Sequence, residues 1–289
     1  MVIPARFERA TFSLGGRRSI HLSYGIPARS LCHSRTPQVS RSPCDDGPSP
    51  PDPVPACFDA HCHLQDLPPG EVAAVLDRAR AAGVVRLACC ATAEADWEPV
   101  LALSAAHREV VPLLGLHPWK VAGARPGWEG RLEALLAGHR AGVGECGLDF
   151  ARQPVDRGAQ LHAFRSQLAL AVRLRRPVAL HCVRAWGALK RVLETEGVPL
   201  SGALVHAFSG SAESARELQD LGLWLSFSTP RPALAAVRDD RLLLESDASG
   251  PATLPALVAS AAALRDRTPD DLAELTRRNG EHCFKEILA

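Results

Sequence analysis

His61 and His63, in the stretch Phe58-Asp59-Ala60-His61-Cys62-His63-Leu64, can serve one metal ion if that stretch is a strand. Residues i and i+2 of a strand point to the same face, so the two imidazoles would share it and Cys62 would turn away. An apolar lead-in from Val54 to Phe58 and an exit into Gln65-Asp66-Leu67-Pro68-Pro69-Gly70 fit a strand that ends in a loop. Two ordinary core or surface histidines would read the same way, so what decides is whether further donors follow other apolar runs. They do: Gly115-Leu116-His117-Pro118-Trp119, Gly144-Glu145-Cys146-Gly147-Leu148-Asp149, His181, His206 and Glu245-Ser246-Asp247 each sit at the end of one.

The histidines His61, His63, His181 and His206 and the carboxylates Glu145 and Asp247 offer nitrogen and oxygen but no thiolate. That set suits zinc, manganese or magnesium. Six ligands exceed what one ion needs, so two divalent ions bridged by Glu145 is the economical arrangement. His61, His63, Glu145 and Asp247 would hold one ion, and Glu145, His181 and His206 the other. Two such ions, about 3.5–4 Å apart, can bind a phosphoryl group, activate a water and stabilise the leaving oxygen. Asp247 would orient that water and take its proton. The chain has three lysines, Lys120, Lys190 and Lys285, and none falls at a predicted strand end, which excludes a lysine-derived bridge. The residues on either side of Glu145 are small, leaving room for ions near the backbone.

The elements that must position these groups alternate. Strands are predicted at Ala56–His61, Val84–Cys90, Val110–Leu116, Gly142–Glu145, Val178–Cys182, Ala203–His206, Leu223–Phe227 and Leu242–Ser246. Helical periods lie between them at Glu71–Ala82, Glu94–His107, Trp128–Gly138, Gly158–Leu174, Trp186–Glu196, Ala212–Leu221 and, briefly, Pro232–Arg238. Three further helices follow, at Leu254–Leu264, Pro269–Arg278 and Gly280–Leu288. Continuous apolar strands alternating with amphipathic helices predict a parallel sheet buried on both faces. Eight repeats, with no GxGxxG after the first strand, favour an α/β fold of the single (β/α)8 TIM-barrel type over an open dinucleotide-binding sheet. In such barrels the C-terminal ends of the strands carry the chemistry.

Composition sets wider limits. The 289 residues are 46% hydrophobic and 22% charged with a net charge of +1, so attraction for a polyanion must be local to a site. No apolar run approaches the roughly 18 residues a membrane span needs. The nine cysteines form no CxxC, and reduced, buried thiols of a cytoplasmic protein are the expectation. Residues 1–55 differ: Arg6, Arg9, Arg17, Arg18, Arg29, Arg35 and Arg41 face a single acid, Glu8, before a proline-rich linker around Asp45 to Pro53. This predicts a disordered extension ahead of a barrel over 56–289. Its Arg- and Ser-rich character also resembles an organellar transit peptide, the alternative to a cytoplasmic location.

The motifs together resemble the TatD-related metal-dependent hydrolase (deoxyribonuclease) family of amidohydrolase-like barrels. The matching stretches are Asp59-Ala60-His61-Cys62-His63-Leu64, Gly115-Leu116-His117-Pro118, Gly144-Glu145-Cys146-Gly147-Leu148-Asp149, Leu180-His181, His206-Ala207-Phe208-Ser209-Gly210-Ser211, Leu242 to Asp247, and Thr276, Asn279 and Phe284, in the family's order. The resemblance implies a metal-dependent phosphodiesterase acting on DNA or nucleotides, with the six ligands carried over position by position. Departures fall in the loops. The family's HxRDA is here His181-Cys182-Val183-Arg184-Ala185-Trp186, which shifts Arg184 by one, and the segments 228–241 and after Asp247 look short.

Around the ligands, His117 reads as phosphate-binding or as a packed histidine before Pro118, and Arg184 as a phosphate contact or a rim ion pair. Glu245 would join the site or support it, and Asp149 would orient the loop after Glu145. Cys62, Cys146 and Cys182 should face the helix layer. Trp119 and Trp186, with Arg184, would suit base stacking and phosphate. Hydrolysis of a small amide, lactone or ester on the same metals, and a metal-binding barrel without activity, are the competing readings.

Overall fold

Each short apolar run becomes a strand of one parallel sheet in a computed structural model, which describes residues 54–68 and 70–288. The strands are β1 (Cys57–Cys62), β2 (Val84–Cys90), β3 (Val110–Leu114), β4 (Gly142–Asp149), β5 (Val178–Val183), β6 (Ala203–Val205), β7 (Trp224–Phe227) and β8 (Leu242–Leu244). They pair in chain order, every pair parallel. Helices α1 (Val72–Ala81), α2 (Trp97–Ala106), α3 (Trp128–Gly138), α4 (Arg157–Leu174), α5 (Trp186–Glu196) and α6 (Ala212–Asp220) connect the first seven strands. A single 3-10 turn at Pro232–Ala236 and a shorter one at Asp239–Arg241 lie between β7 and β8. Helices α7 (Leu254–Ala263) and α8 (Pro269–Cys283) follow. This is the (β/α)8 barrel expected.

The first and last strands are joined at their C-terminal ends. Cys62 and Asp247 form a parallel bridge, and the Asp247 amide donates to the His61 carbonyl at 2.9 Å. The Asp59 carboxylate accepts from the Ser246 amide at 2.8 Å. With β8 only three residues long, this side-chain bond supplies a rung that the short strand's backbone does not.

Apolar residues divide into two layers. Phe58, Ala60, Ala88, Val111, Leu113, Leu204 and Leu243 fill the inside of the barrel, together with Phe284 and Ile287 from beyond α8. Phe284 stacks on Phe58 with ring centres 5.6 Å apart. Leu76, Leu132, Leu168 and Leu189 lie in the outer layer between sheet and helices, and so do Cys62, Cys146 and Cys182. Each fully buried Leu or Phe contributes roughly 1.5–3 kcal/mol.

The structure corrects several boundaries. β4 runs four residues past Glu145, so this residue sits within the strand. The two helices expected over Pro269–Arg278 and Gly280–Leu288 are one helix, α8, passing through Gly280. That glycine marks close packing and no break: a Cβ there would lie 2.5 Å from the Phe58 ring. β6 ends before His206, and β8 ends before Glu245 and Ser246. Among the described residues no helix is long and apolar enough to cross a membrane. The extension expected over 1–55 lies outside the described residues except for Val54 and Pro55.

Candidate metal centre

At the C-terminal ends of the strands the polar groups converge on Glu145, which is 2% exposed in the middle of β4. Its two oxygens divide the imidazoles between them. Oε2 faces His61 Nε2 at 3.3 Å and His63 Nε2 at 3.4 Å, and His63 Nε2 lies 3.6 Å from Asp247 Oδ1. Oε1 faces His181 Nδ1 and His206 Nε2, both at 2.7 Å, and His117 Nε2 at 3.2 Å. His61, His63, Glu145, His181, His206 and Asp247 are therefore brought to one pocket.

Small neighbours make this possible, for a reason other than room for ions. A Cβ on Gly144 would lie 2.9 Å from the Ala179 carbonyl, so the space beside Glu145 is needed by the backbone of β5. His63 stands one residue beyond β1, where the strand is irregular, yet its Nε2 comes within 3.1 Å of His61 Nε2.

The groups that the far ring nitrogens face decide which near nitrogens carry lone pairs. His63 Nδ1 donates to the Cys90 carbonyl at 2.8 Å, leaving Nε2 as a free donor atom for a cation. His206 Nδ1 faces the buried Glu245 carboxylate at 3.4 Å, and His181 Nε2 faces Asp149 at 3.5 Å. Carboxylates behind ligating histidines fix the tautomer in this way and raise basicity. His117 is set the other way. The Trp119 amide donates to its Nδ1 at 3.1 Å, so neutral His117 carries its proton on Nε2 and presents a donor, unsuited to a cation.

Burial and charge act on these groups in opposite directions. His61 is held well below the ordinary histidine range, first by burial and then by the charge of His206. Burial also lowers His117. His206 is driven well above that range because Glu145 and then Glu245 outweigh its burial. His181 rises against burial through Asp149 and Glu145. Burial opposes the charge on Glu145, but His206, His61, His117 and His181 together hold its carboxyl well below the usual range.

The residues fit divalent cations. Two pairs of ring nitrogens, His61 with His63 and His181 with His206, each lie 3.1 Å apart against an ionised, buried carboxylate. Such crowding of lone pairs is stable only with positive charge among them, supplied by protons or by metal ions that displace them. The groups His61, His63, Asp247 and His61, Glu145, His206 each place one ligand atom per residue within 4.8 Å of one another.

A cleft of about 400 Å³ opens over the cluster, lined by His63, His117, Glu145, His181, His206 and Asp247. Asp66, Thr92, Trp119 and Lys120 complete its wall. Lys120 is a cation that strand-end reasoning passed over. The signal was its place three residues after His117, on a loop whose path the sequence does not reveal. Arg184 is elsewhere: it is exposed, in the left-handed region at φ 51°, and outside the lining of this cleft. Trp186 packs on Phe208 at 5.0 Å. Glu245 stands behind His206, its carboxylate also taking the Ala207 amide at 2.7 Å and the Ser226 hydroxyl. Asp149 accepts from the Ala151 amide, as expected of a loop anchor, and from the Trp119 indole at 2.7 Å.

Comparison with known proteins adds four findings. A family model described as TatD related DNase matches residues 58–285. The 3'-5' ssDNA/RNA exonuclease TatD of Cronobacter sakazakii is 31% identical over 237 residues, 73% of this chain and 90% of that protein. An uncharacterized metal-dependent hydrolase of Bacillus subtilis, YabD, is 25% identical over 251 residues, 79% and 98% of the two chains. Among solved structures, YJJV, a TatD homolog from Escherichia coli, superposes with a TM-score of 0.74 at 30% identity, covering 79% of this chain and 98% of that one.

Proposed function

This chain belongs to the TatD-related DNase family, and on that premise we propose that it cleaves phosphodiester bonds in nucleic acid strands with two divalent ions, for which Glu145 would be a shared ligand. Membership makes it a metal-dependent hydrolase of phosphodiester bonds. The finer assignment of residues rests on one observation above all: the imidazoles approach Glu145 in two separate sets, one on each carboxylate oxygen.

His61, His63 and Asp247 would complete one ion's shell, and His181 and His206 the other's, with magnesium, manganese or zinc suited to this donor set. Bound divalent ions polarise the phosphoryl group and make hydroxide accessible near neutral pH. The protein's own residues do the rest. Asp247, whose side chain is 32% exposed at the cleft wall, accepts the proton of the attacking water. His117, its tautomer set by the Trp119 amide, is the neutral hydrogen-bond donor, to Glu145 or to a phosphoryl oxygen. Lys120 draws the phosphate into a cleft whose other charged and titratable walls are four histidines and the carboxylates of Asp66, Glu145 and Asp247. Arg184, at the outer end of β5, is left as a contact for phosphates outside the cleft.

The family description points to DNA, and the names of the relatives add RNA and action on single strands from the 3' end. We extend both substrates to this chain. The seven free, buried cysteines among the described residues fit a reducing, cytoplasmic setting, and residues 1–55 are assigned to an extension outside the catalytic barrel of 56–289. The test is cleavage of single-stranded DNA and RNA by purified protein with Mg²⁺ or Mn²⁺, beside Glu145→Ala. Metal-dependent cleavage is expected to fall at least ~100-fold in the variant. Equal activity of the two proteins would remove Glu145, and the bridging arrangement with it.

A further inference from the structure

Trp119 is shared by two cavities. One is the cleft over Glu145; the other, about 360 Å³, lies beyond the indole and is walled by Val121, Arg152, Pro154 and Gln160. The ring is 49% exposed, yet it is held firmly. Its N–H donates to Asp149 Oδ2 at 2.7 Å, and the other oxygen of that carboxylate takes the backbone amides of Ala151 and Arg152 at 2.8 and 3.3 Å. One carboxylate thus positions both the indole and the residue whose guanidinium carbon lies 4.4 Å from its ring centre. Arg152 makes no ion pair among the described residues. The acid in this cavity, Asp156, is engaged elsewhere, its carboxylate capping α4 through the Ala159 amide.

An indole of fixed orientation, half exposed and covered over its ring by a guanidinium that has no carboxylate partner among the described residues, is a pairing that can open to take a base on the ring and a phosphate on the cation. We propose that the cavity beyond Trp119 is a subsite for the nucleotide adjoining the one hydrolysed, its base stacking on Trp119 in place of the Arg152 guanidinium, which moves off the ring to pair with its phosphate. The proposal rests on the nuclease reading above and narrows the substrate to strands with at least one further phosphate beyond the scissile bond. A strand whose reacting phosphate lies over Glu145 reaches this subsite across the ring that both cavities share. The bond from Trp119 to Asp149, which also faces His181 Nε2, ties occupancy of the subsite to the orientation of a metal ligand.

The experiment pairs substrates with variants of the full chain, loaded with Mn²⁺. The substrates are a short oligothymidylate and thymidine 4-nitrophenyl phosphate, which has no flanking phosphate. Wild type is expected to favour the oligonucleotide in kcat/KM. Trp119→Ala should reduce that preference about 5- to 150-fold, the range of one base–aromatic stack, while Trp119→Phe, which keeps the ring and loses only the N–H, retains most of it. Arg152→Ala should lower the preference and make its salt dependence shallower by about 0.7 in log–log slope, one phosphate contact on a single strand.

Equal losses on both substrates, or Trp119→Phe as impaired in preference as Trp119→Ala, would overturn the subsite in favour of a role confined to holding Asp149. A wild type that hydrolyses the small ester with no advantage for the oligonucleotide overturns the subsite alone. Hydrolysis of neither substrate overturns the nuclease reading as well.

Discussion

Glu245 is outside the lining of the cleft, yet its replacement should be among the most costly in the barrel. Its side chain is fully buried, and its carboxylate serves three groups: the Ala207 amide at 2.7 Å, the Ser226 hydroxyl, and His206 Nδ1 at 3.4 Å. Glu245→Ala strips all three. An orphaned buried donor costs about 1–3 kcal/mol, so losing the two hydrogen bonds, from the Ala207 amide and the Ser226 hydroxyl, costs about 2–6 kcal/mol, a large part of the roughly 5–15 kcal/mol by which domains are stable. Glu245→Gln separates stability from function. The amide oxygen can still accept the Ala207 N–H, and the Ser226 hydroxyl can turn to accept from the amide nitrogen, so most of the fold energy is kept. What is lost is the anion behind His206, which raises the basicity of the ring and holds the proton on Nδ1. Loss of such a partner lowers metal affinity by about 10–100-fold. Urea unfolding would measure the first effect, and competition with a chromophoric chelator the second. Unchanged metal affinity in Glu245→Gln would refute the view that this carboxylate orients His206; wild-type stability in Glu245→Ala would refute the hydrogen-bond argument.

Three further outcomes follow from residues away from the ions or behind them. Burial pushes the Asp59 carboxyl up to about 7 against hydrogen bonds from Ser246, from an ordinary 3.8; the unfolded chain therefore releases this proton first, and stability of the chelator-treated protein should fall between about pH 4 and pH 7. Asp59→Asn keeps the acceptor for Ser246 and should abolish that fall, gaining on the order of 4 kcal/mol at pH 7; parallel pH profiles for the two proteins would sink the argument. Glu94 is shifted down, its burial outweighed by the Arg125 amide and the guanidinium of Arg131, so its contribution is present above about 4.5 and lost as pH falls through the depressed value. Glu94→Gln should destabilise by about 1 kcal/mol or less at pH 7, since Arg125 and Arg131 are partly in solvent, with the gap closing in acid; a gap that widens in acid would contradict it. Gly280→Ala should cost about 1–3 kcal/mol in denaturant unfolding by pressing on Phe58, and a neutral result would show that the ring can move aside.

The barrel was legible because parallel strands covered on both faces are continuous apolar runs, and because chemistry-bearing residues recur at the ends of six of the eight. His61, His63, Glu145, His181, His206 and Asp247 could be found by that rule alone. Less legible was anything set by the approach of one backbone to another. Gly280 looks like a break in the sequence and is a contact in the structure. The small residues beside Glu145 suggest space for ions and are explained by β5. Lys120 and Trp119 reach the cleft through a loop whose direction no periodicity encodes. The opposite tautomers of His63 and His117 depend on one carbonyl and one amide, groups every residue carries and no sequence pattern marks.

The seam between β1 and β8 has a consequence for the life of the chain. Asp59 and Ser246 stand 187 positions apart, and their neighbours His61 and Asp247 bind each other's backbone at the same place. A ribosome must therefore add 187 residues after Asp59 before the two ends of the barrel can meet. Until then the growing chain lacks the strand that closes the barrel.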